Sequence, residues 1–216
     1  MNRITEKNDH IKDKLKYFEN PIILELGVNR GGSTKIFLDY VEKNNGKVFS
    51  IDIKDCSNVS NSKKWNFLIS NDLDYDYIIT KFPEILDKGI DILFVDSYHD
   101  PSHVKLLLEK WSTLLNKNGI IFFDDSESLP YRLKKNFSLS IVNDEIDKVI
   151  KNFYYSNYDQ YFYTKYYIGA GLSFLEKKSE KGVQLSKFKV WNYGLISSQI
   201  YILIKKILFY IRNLRK

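Results

Sequence analysis

Two stretches of the chain, Asp91-Ile-Leu-Phe-Val-Asp96 and Gly119-Ile-Ile-Phe-Phe-Asp124, are apolar throughout and close on acids. Runs without polar alternation predict strands buried on both faces, as in a parallel sheet. The same pattern predicts strands at 21–26, 47–53, 65–70, 90–96 and 119–124, separated by helices at 33–44, 75–88 and 101–116 and preceded by one at 4–18. In the 101–116 segment, Val104, Leu107, Leu108, Trp111, Leu114 and Leu115 recur at helical spacing, giving one apolar stripe for the core. Such alternation specifies an α/β fold, a mostly parallel sheet with helices on both faces. After Asp125 the pattern changes. A short helix is predicted at 129–137 and a better one at 144–153, then two strands at 161–168 and 172–177, joined through Gly169 and Gly171 as an antiparallel hairpin.

Acids at the carboxyl ends of buried strands lie where open α/β sheets bind their ligands. Asp96, His99, Asp124 and Asp125 are therefore expected to meet in one cleft. Upstream, Pro21-Ile-Ile-Leu-Glu25-Leu-Gly27-Val-Asn-Arg-Gly31-Gly32-Ser33-Thr34 reads as strand, glycine turn and helix opening. The next strand ends in Asp52, about 20 residues past the turn, the spacing at which a carboxylate takes a ribose hydroxyl pair. An adenosine-type cofactor is indicated. The turn is neither G-x-G-x-x-G/A nor a Gly-Lys-Ser/Thr phosphate loop, which disfavours nicotinamide dinucleotides and P-loop nucleotides. Glu25 would also repel a pyrophosphate.

These residues carry a resemblance. The segment from Glu25 to Thr34, with Ile51-Asp52, Phe94-Val-Asp96-Ser-Tyr-His99 and Phe122-Phe-Asp124-Asp125, resembles class I S-adenosylmethionine-dependent methyltransferases over about residues 20–177. Within that superfamily the Asp-x-x-His followed by paired acids is similar to the metal-dependent sugar O-methyltransferases of macrolide and polysaccharide biosynthesis. The resemblance implies a Rossmann-like seven-stranded, mostly parallel sheet closed by the C-terminal antiparallel hairpin. It implies that Glu25, Gly27 and Gly31 line the methionine moiety of S-adenosylmethionine, that Asp52 takes the ribose, and that Asn71 and Asp72 lie beside the adenine. Asp96, Asp124 and Asp125 correspond to the metal positions and His99 to the catalytic base, with Asp96 sharing the catalytic role.

The chemistry of these residue types agrees with that assignment. Three carboxylates form a hard oxygen site suited to Mg²⁺, or to Mn²⁺ or Ca²⁺. A sugar hydroxyl is a poor nucleophile until its proton is removed, and histidine titrates near neutrality. Singly, each acid also has a plain structural reading: Asp96 as a strand-end residue or a cap for the helix near Pro101, Asp124 and Asp125 as solvated turn acids. His103 reads as exposed or packing. The crowded tyrosines 154, 155, 158, 161, 163, 166 and 167 read either as amphipathic strand and loop residues or as an acceptor platform.

Composition sets the boundaries. A chain of 216 residues supports one core, expected at 1–178, with a C-terminal tail at 179–216. The single Cys56 excludes an internal disulfide, and a polar N-terminus without an apolar signal region points to a cytoplasmic enzyme. The net charge of +6 resides in the tail, where residues 177–216 hold ten Lys or Arg and one acid. Two lysines interrupt its apolar segment 195–216, which disfavours a spanning helix. Two readings of that segment stay open: an interfacial helix at the inner membrane surface, or a helix packed on the core or on a second subunit. Its charge is not spread over a surface of the size nucleic-acid binding needs. The acceptor is expected to be a small molecule or glycan. The alternatives are a metal-independent methyltransferase, a nicotinamide oxidoreductase and a non-catalytic binding module.

Overall fold

The computed structural model describes residues 3–187. The segment 195–216, expected to be helical, lies outside them. Seven strands form one sheet: β1 (Ile22–Leu26), β2 (Lys47–Asp52), β3 (Trp65–Ile69), β4 (Ile90–Val95), β5 (Leu115–Asp124), β6 (Tyr161–Tyr166) and β7 (Leu172–Lys177). Their order is β3-β2-β1-β4-β5-β7-β6. The first five are parallel, and β7 runs antiparallel between β5 and β6.

Strand side chains alternate between two apolar layers, as the pleat requires. On one side Ile23, Val48, Phe94 and Phe122 pack against α1 (Arg3–Leu15) and α2 (Gly32–Asn44) through Ile11, Leu15, Phe37 and Val41. On the other, Leu24, Leu93, Val95 and Phe123 pack against α3 (Tyr75–Lys81), α4 (Pro83–Lys88), α5 (Pro101–Trp111) and α7 (Phe137–Ser156). The short α6 (Leu129–Leu133) links β5 to α7. Trp111 is fully buried, and its indole Nε1–H donates to the Asp72 carbonyl at 3.0 Å, tying α5 to the turn after β3.

The differences from the expected elements have local causes. The 75–88 helix is two, broken at Phe82 (φ −124°, ψ 63°) because Pro83 disfavours the helical conformation in the residue before it. The 101–116 helix stops at Trp111, and Leu115 already pairs with Ile90 as the start of β5. The register then slips, so that Ile120 pairs with Ile92. The 144–153 helix extends to 20 residues, with the Asn136 side chain accepting from Leu139 N–H at its start. Among the described residues no helix is long and apolar enough to cross a membrane.

Candidate active site

The strand order reverses between β1 and β4, and the two loops that leave there touch. Gly27 has φ +95°, and a Cβ on it would lie 2.1 Å from the Asp96 carbonyl oxygen. Gly31 (φ +74°) begins α2 in the left-handed conformation, against Val59. This glycine turn packs on Asp52. The Asp52 carboxylate accepts from Val28 N–H (2.9 Å), Asn29 N–H (3.0 Å) and Lys54 N–H (2.9 Å). Burial raises the Asp52 pKa, but the backbone donors outweigh it and hold the carboxyl below its ordinary value.

Glu25, expected to line the methionine moiety, lies at the end of β1 below the glycine turn. Its carboxylate is fully buried beneath the turn and accepts from Ser33 Oγ (2.6 Å), Thr34 Oγ1 (2.8 Å) and Ser50 Oγ (2.6 Å). It ties β1, β2 and the start of α2 together. Burial pushes its pKa up to about 7, against those three hydroxyl donors. A carboxyl that binds its proton more tightly folded than unfolded loses stability as pH rises between the two pKa values, here about 4.5 and 7. Urea melts should therefore show a stability decline of up to about 3 kcal/mol across that window, absent in Glu25→Gln.

Asn71 and Asp72 follow β3. The Asn71 Oδ1 accepts from Leu73 N–H at 2.9 Å, an ordinary side-chain turn. Asp72 is buried, and its Oδ1 lies 2.9 Å from His103 Nε2. His103 is thus neither an exposed nor a purely packing residue, a correction to its sequence reading. Its position in the first turn of α5, which the His99 loop leads into, was the available signal; its partner across the fold was not visible.

At the carboxyl ends of β4 and β5 the other predicted residues converge. His99 Nε2 lies 3.7 Å from Asp96 Oδ1 and 3.9 Å from Asp125 Oδ2. The cap of α5 is Asp100, whose carboxylate accepts from His103 N–H at 3.0 Å, so the capping role considered for Asp96 is filled elsewhere. Burial pushes the Asp96 carboxyl up to about 6; the His99 and Lys7 charges oppose the rise and the Asp125 charge adds to it. Ser97 Oγ is buried without a hydrogen-bond partner, beside a small cavity lined by His99, Phe123 and Asp124.

Asp124 and Asp125 are not solvated turn acids. Asp125 takes a left-handed conformation (φ +52°), uncommon outside glycine, and accepts from the Tyr131 hydroxyl of α6 at 3.2 Å. The loop behind it is clamped: Lys165 Nζ donates to Ser126 O (2.7 Å) and pairs with Glu127 (3.0 Å), and Glu127 N–H donates to Ala170 O (2.7 Å). Asp124 pairs with Lys7 of α1. Sequence reasoning missed Lys7, which lies far from the acids in the chain, and Tyr131, which comes back to Asp125 only because α6 folds there. The tyrosines do not form one platform: Tyr161 is core, Tyr166 stacks on His10, and Tyr158 and Tyr167 are exposed.

Two carboxylates, Asp96 and Asp125, face one imidazole, and Asp124 lines the same small cavity as His99, a donor chemistry that suits a hard divalent cation. Among the described residues no three such side chains are arranged as a formed metal site. The Lys7 ammonium on Asp124 stands within that arrangement.

A glycine turn at the switch point, an acid ending the second strand and an antiparallel β7 closing a parallel sheet define the Rossmann-like methyltransferase fold. Residues 24–126 match the family described as methyltransferase domain. No curated protein matches the sequence. Among solved structures the chain is similar to a Staphylococcus aureus protein assigned as a caffeoyl-CoA O-methyltransferase, at 18% identity and TM-score 0.61, covering 79% of this chain and 82% of that one. It is also similar to the MycE methyltransferase of the mycinamycin pathway in complex with Mg and S-adenosylhomocysteine (16%, TM-score 0.58), covering 85% of this chain and 51% of that one. A third is the S-adenosylhomocysteine-bound Podospora anserina methyltransferase PaMTH1 (14%, TM-score 0.57), covering 82% of this chain and 76% of that one. At these identities the likeness is one of fold, and the chain spans about half the length of MycE. The matched domain covers just under half of the chain, and the solved structures agree with it in fold.

Proposed function

We propose that this enzyme is an O-methyltransferase that carries the S-adenosylmethionine methyl group to a sugar hydroxyl in glycan or glycosylated metabolite assembly, assisted by a divalent cation. The observation that carries this reading is the convergence of Asp96, Asp125 and His99 directly beside the backbone of the glycine turn. Methyl transfer is an in-line displacement, and it needs a deprotonated oxygen held close to the sulfonium methyl. Gly27 and Gly31 let the turn pack directly on the Asp96 backbone and on Val59, which sets its backbone for the cofactor's methionine part, while Asp52, pinned by three backbone donors, presents its remaining lone pairs to the ribose. Asn71 and Asp72 close the adenine end.

His99 accepts the acceptor's proton, and Asp96 and Asp125, both facing its Nε2, stabilise the imidazolium that results. Asp96, Asp124 and Asp125 are the residues that would hold Mg²⁺, which when bound favours the alkoxide of a vicinal diol. Tyr98, more than two-thirds exposed at the mouth of the site, offers an aromatic face to a sugar ring. A small-molecule acceptor is in keeping with the MycE structure determined with Mg, S-adenosylhomocysteine and mycinamycin VI.

The test is calorimetric titration with S-adenosylhomocysteine, followed by assay of sugar acceptors with and without chelator. Wild-type protein should bind in the micromolar range, and Asp52→Ala should weaken binding at least tenfold, about 1.4 kcal/mol. Methylation should cease in EDTA and return with Mg²⁺. No binding by folded wild-type protein would overturn the cofactor assignment, and chelator-resistant turnover would overturn the metal.

A further inference from the structure

The acidic cluster carries a cation of its own, delivered from the far end of the chain. Lys7 and Asp124 are both largely buried, with about one-sixth of each side chain exposed, and they pair directly. The pairing follows from how α1 is laid on the sheet. Ile11 and Leu15 bury in the layer beneath it, His10 stacks flat on Tyr166 with ring centres 4.0 Å apart, and Lys14 Nζ reaches Glu176 Oε2 at 3.1 Å. Glu176 pairs with Ile120 across β5 and β7, and Leu172 pairs with Asp124. From Lys7 to Lys14 the helix rises roughly 10 Å, and from Asp124 back to Ile120 the strand spans roughly 13 Å. The two lengths agree to within a side chain's reach. The anchors at Ile11, Leu15, His10 and Lys14 thus deliver Lys7 to the mouth of the site without help from the Lys7–Asp124 pair.

We propose that Lys7 is a built-in cation that competes with the divalent metal for Asp124, so that the first turns of α1 and the metal are alternative occupants of one acidic cluster. The inference rests on the metal-assisted reading above. Asp124 Oδ1 already accepts from the Asp125 N–H at 2.6 Å as well as facing the Lys7 ammonium. While Lys7 stays, both lone pairs of that oxygen are engaged and only Oδ2 is left to a metal, which would then sit beside the ammonium's like charge. A divalent ion needs several oxygen ligands and carries twice the charge of the ammonium it meets. Metal entry therefore expels Lys7 and lifts the N-terminal turn, whereas metal loss lets the ammonium return and neutralise carboxylates that would otherwise repel one another.

The experiment is calorimetric titration of the full chain with Mn²⁺, comparing wild type, Lys7→Met and Lys7→Arg. Lys7→Met keeps the apolar stem and the α1 anchors while deleting the charge. It should bind Mn²⁺ at least tenfold more tightly than wild type, and Lys7→Arg should not. In wild-type protein, hydrogen exchange over residues 3–10 should accelerate when Mn²⁺ is added and remain unchanged with S-adenosylhomocysteine alone. Equal Mn²⁺ affinity in wild type and Lys7→Met, or exchange that Mn²⁺ does not alter, overturns the competition and leaves the metal reading standing. Absence of Mn²⁺ binding in all three proteins overturns both, and S-adenosylhomocysteine binding then decides separately whether the methyltransferase reading survives.

Discussion

Gly27→Ala is expected to destabilise the protein by about 3 kcal/mol or more and to abolish S-adenosylhomocysteine binding in whatever fraction remains folded. Two independent penalties add at this residue. Its φ of +95° is a conformation that L side chains rarely adopt, and the new methyl would meet the Asp96 carbonyl oxygen at 2.1 Å and its carbon at 2.6 Å. Both obstacles are backbone atoms at the end of β4, whose own N–H is bonded to Leu26 O at 2.9 Å, so neither can rotate away. The clash is relieved only by separating β1 from β4 at the point where the cofactor loop and the acid loop meet. Gly32→Ala provides the control. Nothing lies within 4 Å of its added methyl, its φ is not positive, and it opens α2, where alanine is the better helix former. That variant should be neutral or stabilised by roughly 0.5 kcal/mol. Urea denaturation of the two variants distinguishes the steric account from a general intolerance of side chains in the turn; equal behaviour would refute it.

The contrast between these glycines also shows where the sequence was readable. Apolar runs announced β1, β2, β4 and β5 because parallel strands bury both faces, and the acids that close them fell at the carboxyl edge by the same rule. The convergence of Asp96, His99 and Asp125 could therefore be anticipated from strand ends alone. Contacts made across the fold could not. Nothing local marks Lys7 as the partner of Asp124, or His103 as the partner of Asp72, because periodicity identifies a buried face without naming what covers it. Glu25 is an intermediate case. An acid inside Ile-Ile-Leu-Glu-Leu had to be buried, and a buried carboxylate needs donors, but that Ser33, Thr34 and Ser50 would enclose it required the α2 and β2 packing. Breaks in secondary structure divided along the same line. Pro83 carried a local stop signal that the single 75–88 helix passed over, whereas the early start of β5 at Leu115 reflects a pairing with Ile90 that helical periodicity had masked.

His99→Ala is expected to lower kcat by about 10²–10⁴ while leaving S-adenosylhomocysteine affinity within about twofold of wild type. The imidazole faces Asp96 and Asp125 and takes no part in the glycine turn or the Asp52 contacts, so cofactor binding has no reason to change. A base that acts in its neutral form gives an acid limb in the pH dependence of kcat/KM, and that limb should vanish in the variant. His103→Ala supplies the complementary case from the first turn of α5, which the His99 loop leads into. Its removal leaves the Asp72 carboxylate buried without its partner, which should cost about 3 kcal/mol of stability. The loss should appear in the denaturation midpoint and in cofactor affinity rather than in kcat. Two histidines, one in the loop before α5 and one in its first turn, are thereby assigned opposite signatures, one kinetic and one thermodynamic. If His99→Ala keeps wild-type turnover with its acid limb intact, the proton leaves by another route and the base assignment fails. If instead the two variants exchange signatures, the reacting centre lies on the Asp72 side of α5, and the acid cluster at β4 and β5 has a role other than chemistry.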